Sequence, residues 1–296
     1  MVTQSRSRLA LRSPPRSTAR AGLTLASGAI ALWLEPVAQT LTFGQINLLL
    51  MFLVLLDLCQ RDDRPWKGVG VGLAAAVKLT PSIFIGYLVL TRRFRAAAVA
   101  SGTLLAGIAG GFLLLPAASR RFWLDGLFLH AERVGGVPYV ANQSINGALV
   151  RLFAGHGGAA PSWLVAASIV GLVGLALAAW AGSRGLDLLG VLTCALTALL
   201  VSPISWSHHW VWIALLIPCA ADLLVGRRWT AAWLALAALT AAFAAGPVRA
   251  IWRVPSTGNL EYGWHGAQLV IGNLYVALGL VLLGLTALYL TRTRAG

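Results

Sequence analysis

The chain has 296 residues, of which 58% are hydrophobic and only 11% are charged, and its mean hydropathy is +0.78. A soluble domain carries about 25% charged residues, so a chain of this composition cannot hide its apolar surface from water. The net charge is +14, from 23 Lys and Arg against 9 Asp and Glu. Because the basic residues fall in short loops between apolar runs, they indicate membrane orientation rather than nucleic-acid binding. The composition therefore predicts an all-α polytopic membrane protein.

The first residues differ from the rest of the chain. Residues 1–20 combine arginine with serine, threonine and proline and contain no acid, and an apolar run follows at 21–34. A basic region before an apolar one resembles a signal peptide, but no clear small-residue cleavage site precedes the next apolar run. We therefore expect a retained basic tail over 1–20 and a membrane domain over 21–296. Three cysteines lie in or beside apolar runs and are expected to be buried thiols: Cys59, Cys194 and Cys219.

Nine apolar runs follow one another along the chain. Most approach the roughly 20 residues that a spanning helix needs. They cover roughly 21–34, 40–58, 68–90, 96–115, 163–181, 186–202, 209–225, 230–246 and 267–290. The third run contains Lys78, which is costly at mid-membrane unless it faces a cavity. It also contains Pro81, which lacks an N–H and disfavours helix just before it. This run is either a re-entrant helical pair over 68–90 or a kinked ninth span.

The distribution of basic residues favours the re-entrant pair. If all nine runs spanned, the basic loops 61–67 and 92–95 would lie on opposite sides, against the usual cytoplasmic excess of Lys and Arg. With a re-entrant pair, eight helices span the plasma membrane and both termini are cytoplasmic. Eleven basic residues then lie inside: Arg61, Arg64, Lys67, Arg92, Arg93, Arg95, Arg184, Arg227, Arg228, Arg292 and Arg294. Six lie in the longer outer loops: Arg120, Arg121, Arg133, Arg151, Arg249 and Arg253.

This topology gathers polar and aromatic side chains on the outer, extracytoplasmic face. The face receives Glu35 to Asn47, residues 116–162, residues 202–209 and residues 247–266, which together contain all five histidines. A face equipped for chemistry should be polar and aromatic, so we expect the functional site there. In the first stretch, Gln45 and Asn47 begin a spanning helix. Either Asn47 or a threonine caps that helix, or the two amides contact a sugar or phosphate at its positive end.

The long outer loop 116–162 is predicted to carry interfacial helices. Residues 119–131 place aromatic residues and leucines on one side and charges on the other, which suits a helix lying in the interface. Further on, Asn142 or Ser144 is expected to cap a short helix. The amides of Asn142 and Asn146, with Arg151, suit the binding of hydroxyl groups and an anion.

Adjacent histidines, His208 and His209, stand in the stretch SPISWSHHW at 202–210. With Trp206 and its neighbours they fit an aromatic belt at the membrane surface. Zinc is disfavoured, because adjacent residues point about 100° apart on a helix and no HxxxH spacing occurs. A histidine N–H aimed at a phosphate can instead stabilise the charge that develops when a phosphate leaves.

Three blocks resemble the actinobacterial polyprenyl-phosphate-mannose-dependent mannosyltransferases, glycosyltransferase family 87 of the GT-C class. The blocks are LTFGQINLLL at 41–50, GLAAAVKLTP at 72–81 and SPISWSHHW at 202–210, and the stretch from Asn142 to Gly147 is similar to a fourth. The resemblance covers roughly residues 30–290. It implies inverting transfer of mannose from a polyprenyl-phosphate donor to a glycolipid or glycan acceptor outside the membrane, with no cofactor and no metal.

The resemblance assigns roles to residues of this chain. It implies leaving-group stabilisation by His208 and His209, and an outward cavity lined by substrate-binding residues: Gln45, Asn47, Lys78, Asn142, Asn146, Arg151 and Trp206. One feature departs from the family pattern, because an early outer loop with an acidic base has no counterpart in this sequence. General base catalysis contributes about 10²–10⁴-fold, so an enzyme without it would be severely impaired. We expect that the sequence is truncated at its N-terminus relative to the family or is an inactive remnant; the alternative is a substitute base, Glu35 or Glu132. A non-catalytic lipid-binding protein or a transporter of lipid-linked substrates is the alternative function.

Overall fold

The computed structural model describes residues 17–225, 229–246 and 258–293, and over these ranges the chain is helical and forms no strand. The tail through residue 16, and Arg227, Arg228, Arg249, Arg253 and Arg294, lie outside the described residues. Fourteen α-helices fall in the described ranges. They are α1 Ser17–Trp33, α2 Glu35–Thr42, α3 Asn47–Leu58, α4 Val69–Val77, α5 Ile83–Leu90, α6 Phe94–Leu114, α7 Pro116–Ser119, α8 Ile145–Leu152, α9 Ala159–Ser183, α10 Asp187–Val201, α11 Ile213–Leu224, α12 Thr230–Ala245, α13 Ala267–Gly272 and α14 Leu274–Arg292.

Four helical segments in the described ranges are long and apolar enough to cross a membrane. They are Phe94–Leu114, Ala159–Ser183, Ser207–Leu224 and Leu274–Arg292. The pair α2 and α3 counts as a fifth only as a broken span, because the two helices meet at 115°. The all-helical membrane class is confirmed, but eight spans are not. Several predicted spans are shorter apolar helices of 10–17 residues, below the roughly 20 residues that cross a bilayer without help from neighbouring structure.

The predicted break in the run 68–90 is present. Helix α4 ends at Val77, Lys78 adopts extended backbone angles (φ −145°, ψ 125°), and a 3₁₀ turn over Thr80–Ser82 leads into α5. Lys78 thus stands where helical backbone is interrupted, a geometry that membrane proteins tolerate where it is covered by protein or lines a cavity.

Helix α4 runs alongside α6 in the same direction. A Cβ atom added to Gly68 would lie 2.8 Å from the backbone nitrogen of Ala100, and one added to Gly107 would lie 2.7 Å from Cβ of Ala76. The start of α4 therefore lies beside the start of α6. Helix α5 ends at Leu90, four residues before α6 begins, so the chain turns at Lys78 and returns to the end from which it came.

Salt bridges join the two basic loops at this end of the bundle. The carboxylate of Asp62 lies 2.7 Å from Nζ of Lys67 and 3.3 Å from Nε of Arg93, and Arg93 also pairs with Asp187 at 2.6 Å. Partial burial raises the pKa of Asp62, but the hydrogen bond from Lys67 and the charge of Arg93 together bring it below its ordinary value. Both loops lie together, as the re-entrant pair requires.

The described polar stretches gather at the opposite end, as predicted, while residues 247–257 lie outside the described residues. Hydrogen bonds connect α2 to the segment 207–212, and the amide-rich stretch 138–147 to residues 203–207 and 272–275. Beneath them lies a core cluster built around Trp210, Phe243 and Tyr275, whose rings contact one another at centroid distances of 4.2–6.1 Å. This core supports the loops that form the candidate site.

Three local predictions need correction. Residues 119–131 do not form one interfacial helix: they are π and 3₁₀ turns separated at Gly126, whose φ of +76° is left-handed. Asn47 does not cap α3, since Ile46 occupies the N-cap position without a side-chain bond. Cys59 is exposed rather than buried. The capping of α8 is confirmed, because Ser144 Oγ accepts a hydrogen bond of 3.1 Å from the backbone N–H of Gly147.

Candidate functional site

The histidine pair sits in a 3₁₀ segment, Ser207–Trp212, that α2 and α3 hold in place. Thr40 donates its hydroxyl to the backbone carbonyl of His208 at 2.7 Å, and Asn47 donates its amide to the same oxygen at 3.0 Å. The edge of the Phe43 ring lies against the His208 ring, with 5.4 Å between centroids. Phe43 and Asn47 of the first block, and Thr40 just before it, therefore fix the position of His208.

The ring of His209 lies between its own backbone turn and Lys78. Its Nδ1 accepts the backbone N–H of Trp206 at 3.2 Å, and its Nε2 lies 2.7 Å from Nζ of Lys78. Nζ also lies 3.0 Å from Oδ1 of Asn47. Because Nδ1 is an acceptor here, a neutral ring carries its hydrogen on Nε2. A hydrogen bond across this contact then runs from the Nε2–H of His209 to the amine of Lys78, which accepts only when it is uncharged, so the roles of the two nitrogens depend on their protonation.

A cavity of about 960 Å³ opens beside this pair. Its walls come from α4, α5, α9, α10, the turns at 122–134 and the histidine segment. They include the side chains Gln45, Lys78, Phe122, Phe128, His130, Arg133, Trp206, His208 and His209. Among the described residues, the lining includes two basic side chains, Lys78 and Arg133, and three histidines, but no Asp or Glu. A cavity with charges of one sign concentrates ligands of the opposite sign, so this one suits an anion.

The remaining lining is mostly apolar, with hydroxyl groups from Thr80, Ser82 and Ser202. Val77, Leu79, Ile83, Leu175 and Val201 line the same cavity as the cationic groups. A second cavity of about 50 Å³ also involves Lys78 and His209 and is lined in addition by Asn47. The site thus combines an anion-binding group with apolar surface, which matches an amphipathic ligand better than a free sugar.

Five of the predicted site residues line the large cavity. They are Gln45, Lys78, Trp206, His208 and His209. Asn47 reaches the same place indirectly, through its contact with Lys78 and its lining of the smaller cavity. The structure thus brings together residues that lie up to 164 positions apart in the chain.

The predicted amides Asn142 and Asn146 are turned away from the large cavity and bind backbone. Asn142 donates to the carbonyl of Val137 at 3.0 Å and accepts the N–H of Ser205 at 2.9 Å. Asn146 donates to the carbonyl of Pro203 at 3.0 Å. Both are buried. Their geometry supports the wall that carries the histidines rather than direct contact with substrate.

Arg151 likewise serves the framework. Its Nε and Nη2 contact Oδ1 of Asn273 at 3.0 and 2.7 Å, and its other donors reach the carbonyls of Pro138, Tyr139 and Asn142. All its N–H directions are thus engaged. Burial lowers the pKa of Arg151 to about 9, against the opposing effect of the Glu261 charge. The predicted contact of Arg151 with a substrate anion is not supported by this position.

Glu35, the predicted substitute base, is also displaced from the large cavity. It is 1% exposed, and its Oε2 accepts the hydroxyl of Tyr275 at 2.5 Å. A general base must come within about 2.6–3.2 Å of the proton it removes, directly or through one water. Glu35 does not line the cavity, so its position does not favour that role.

His130 and Arg133 are cavity residues that sequence reasoning did not select. Both lie in the turns that replace the predicted interfacial helix. Their spacing of three residues could have indicated a shared site, since such a spacing can place two side chains on the same side of a helical turn. Among the described residues, no group of three or more His, Cys, Asp or Glu is placed to hold a metal ion.

The fold and the cavity together define a helical membrane protein whose described polar end holds a cavity lined by Lys78, Arg133 and histidines. Glycosyltransferase family 87 matches residues 3–203, which is more than half of the chain. The chain therefore belongs to glycosyltransferase family 87. No solved structure matches it.

Curated relatives are found in mycobacteria. The chain is 36% identical over 253 residues to a polyprenol-phosphate-mannose-dependent alpha-(1-2)-phosphatidylinositol mannoside mannosyltransferase of Mycolicibacterium smegmatis, covering 81% of this chain and 54% of the relative. The protein of the same description from Mycobacterium tuberculosis is 40% identical over 187 residues, 62% of this chain and 42% of the relative. The chain spans about half the length of the curated relatives it matches.

Proposed function

We propose that the chain is a membrane mannosyltransferase that binds polyprenyl-phosphate-mannose in the 960 Å³ cavity. The observation that carries the proposal is the position of Lys78, which is 2.7 Å from His209 in a described lining free of carboxylates. The donor is an amphipathic anion, and the cavity joins cationic groups to apolar walls. The relatives' names state dependence on polyprenol-phosphate-mannose, which matches this chemistry.

The reaction is a displacement at the anomeric carbon of mannose. A hydroxyl oxygen of the acceptor forms the new bond, and the bond from the anomeric carbon to the phosphate oxygen breaks with inversion. The polyprenyl phosphate leaves with the electron pair and gains negative charge. Lys78, His208 and His209 stabilise that charge, as preorganised donors do in other transfer reactions. The proton of the acceptor hydroxyl passes to a general base, for which the described lining offers histidines but no carboxylate.

The acceptor is proposed to be a lipid-linked mannoside. The relatives are named for phosphatidylinositol mannoside acceptors, and a glycan acceptor outside the membrane is the broader class. The transfer needs no cofactor and no metal in this proposal, since the leaving group is a phosphate already paired with cationic side chains.

The polar end is proposed to face outward and the basic end to face the cytoplasm. Support comes from the salt-bridged loops at the basic end, which concentrate Lys and Arg as cytoplasmic loops do. In this arrangement the pair α4 and α5 is re-entrant from the cytoplasmic side and carries Lys78 to its tip. Both termini are then cytoplasmic, and eight spans would require the shorter apolar helices to cross together with their neighbours.

A second candidate function is donor binding without transfer. In the described lining no carboxylate is placed to act as the base, and loss of general base catalysis slows a transfer by about 10²–10⁴-fold. One experiment separates the two functions. The purified chain is given radiolabelled polyprenyl-phosphate-mannose, and both bound label and label transferred to a phosphatidylinositol mannoside are measured. Transfer supports the enzyme, binding alone supports the second candidate, and the absence of both contradicts the proposed site.

A further inference from the structure

Arg133 and His130 form a part of the cavity that the proposed donor site does not use. They lie in the aromatic segment, defined as residues 120–134, which covers one wall of the cavity. Among the described residues, Arg133 makes no hydrogen bond or ion pair with a carboxylate. A cationic side chain that faces a cavity and has no acidic partner is available to a ligand.

Aromatic stacking holds the guanidinium of Arg133. Its Cζ lies 5.0 Å from the centroid of the Phe122 ring. That ring packs in turn against Trp123 at 4.9 Å and Phe128 at 6.1 Å. When a guanidinium stacks on an aromatic ring, the ring restrains the flat face of the guanidinium. The N–H groups at its edge stay free for bidentate contact with a phosphate or carboxylate. The aromatic segment therefore presents Arg133 as a prepared anion receptor.

A close packing contact ties this segment to the histidine pair. Gly135 has a φ of +136°, and a Cβ atom at this position would lie 2.8 Å from Cζ2 of Trp206. Trp206 donates its backbone N–H to Nδ1 of His209. Because only glycine permits this approach, the chain that carries Arg133 is fixed against the residues that carry the proposed leaving-group site.

The number of positive charges exceeds what the donor requires. A polyprenyl-phosphate-mannose is a phosphate diester with one negative charge. In the proposed donor site, Lys78 and the histidines pair with that charge. Arg133 is a second cation in the same cavity, whose described lining has no carboxylate. It is therefore available to bind a second anion. In the proposed function, the second lipid in the reaction is the acceptor. Lipid acceptors of the phosphatidylinositol class carry a phosphate diester of their own.

We propose that Arg133, with His130 beside it, binds the phosphate diester of the acceptor lipid and so selects acceptors that carry one. The inference rests on the proposed function, because it takes the Lys78 end of the cavity as the donor site. A phosphate diester is also present in the donor, so the test must distinguish the two sources. Arg133 is exposed, and its contribution should therefore weaken as salt is raised.

The experiment compares Arg133→Gln with wild type on two acceptors and one donor. One acceptor is a phosphatidylinositol mannoside, and the other is octyl mannoside, which has no phosphate. The expected result is a rise of about tenfold in KM for the phosphorylated acceptor, the size of one lost charge-assisted contact. The KM values for octyl mannoside and for polyprenyl-phosphate-mannose should stay within about twofold. Arg133→Lys keeps the positive charge but not the bidentate geometry of the guanidinium, so its KM for the phosphorylated acceptor should lie between those of wild type and Arg133→Gln.

Arg121→Gln is the matched control. It removes one positive charge from the same segment, but Arg121 does not line the cavity, so its KM values should equal those of wild type. A rise in the donor KM for Arg133→Gln would overturn the proposal by placing Arg133 in the donor site. Equal rises for both acceptors, or no change for either, would also overturn it.

A binding measurement keeps the inference testable if the chain does not catalyse transfer. Quenching of tryptophan fluorescence by micelles containing phosphatidylinositol mannoside gives a dissociation constant for wild type and for Arg133→Gln. We expect weaker binding by the variant, by about tenfold, and no difference with octyl mannoside. Equal binding by both proteins would overturn the acceptor site. A wild-type chain that neither binds nor transfers from the donor contradicts the proposed function instead.

Discussion

Nζ of Lys78 lies 2.7 Å from Nε2 of His209, although the two residues are 131 positions apart. Lys78 stands at the turn between α4 and α5, and His209 stands in the 3₁₀ segment beneath α2. Neither element would hold a charged group at this depth unless the other covered it. This contact joins the second and third sequence blocks into one site, and it is the first target for mutation.

Replacing Lys78 with Met should lower kcat/KM for mannosyl transfer by roughly 100-fold, because one donor to the leaving phosphate is lost. His209→Ala should cause a similar loss. Because the two groups act on the same anion, the double variant should lose much less than the product of the two single effects. Rates with polyprenyl-phosphate-mannose, and donor dissociation constants, provide the measurement.

His156→Ala is the control for this cycle. His156 is exposed, does not line the cavity, and its Nδ1 lies 2.8 Å from the carbonyl oxygen of Phe153, so its removal should leave rate and donor binding unchanged. Fully multiplicative losses in the Lys78 and His209 variants would show that the two side chains act independently, contrary to the shared site.

Asp57 should be essential for the stability of the re-entrant pair α4 and α5. Its buried carboxylate accepts the N–H groups of Gly68 at 2.8 Å and Val71 at 2.9 Å, at the start of α4. Asp57→Ala leaves buried donors unpaired, at a cost of about 1–3 kcal/mol each. We expect the unfolding temperature in detergent to fall by roughly 5 °C. Asp63→Ala, at an exposed carboxylate, should change it little, and equal shifts for both variants would argue against the capping role.

The basic end should be closed to reagents that cannot cross the membrane. In a Cys59→Ser background, which removes an exposed thiol, Phe94→Cys places a probe beside the Arg93 salt bridges. Gly157→Cys places a matched probe at the polar end, where added atoms meet open space. An impermeant maleimide on intact cells should label only Gly157→Cys, and permeabilised cells should show both. Labelling of Phe94→Cys in intact cells would refute the proposed orientation.

The Asp62 salt bridges should give a small stability that disappears in acid. The pKa of Asp62 is lowered in the folded protein, so its contribution is present above the unfolded value of about 3.9 and is lost as pH falls through the folded value. Because its side chain is 61% exposed, the contribution should be below about 1 kcal/mol. Unfolding temperatures of wild type and Asp62→Asn should therefore differ slightly at pH 6 and converge below about pH 3. A difference that grows as pH falls would contradict this sign.

Sequence reasoning succeeded where local chemistry decides the outcome. Pro81 and Lys78 predicted the interruption of the third apolar run, because a missing N–H and a mid-membrane charge both act on their own neighbours. The sorting of basic loops to one end and histidines to the other also followed from positions along the chain. Asn142 or Ser144 was predicted as a helix cap from the local sequence, and Ser144 is the cap. The count of eight spans is not confirmed, since helix length depends on bends such as the 115° angle between α2 and α3.

The sequence by itself determined that this is a helical membrane protein, which residues are chemically capable, and the family to which its blocks belong. Only the tertiary structure decided which of those residues share a cavity. Asn142, Asn146 and Arg151 have the same donors as a substrate site needs, yet their partners are carbonyls and an amide of the framework. The hydrogen-bond partners of these side chains depend on how distant segments pack together. The residue type alone does not show which segment will lie against a side chain.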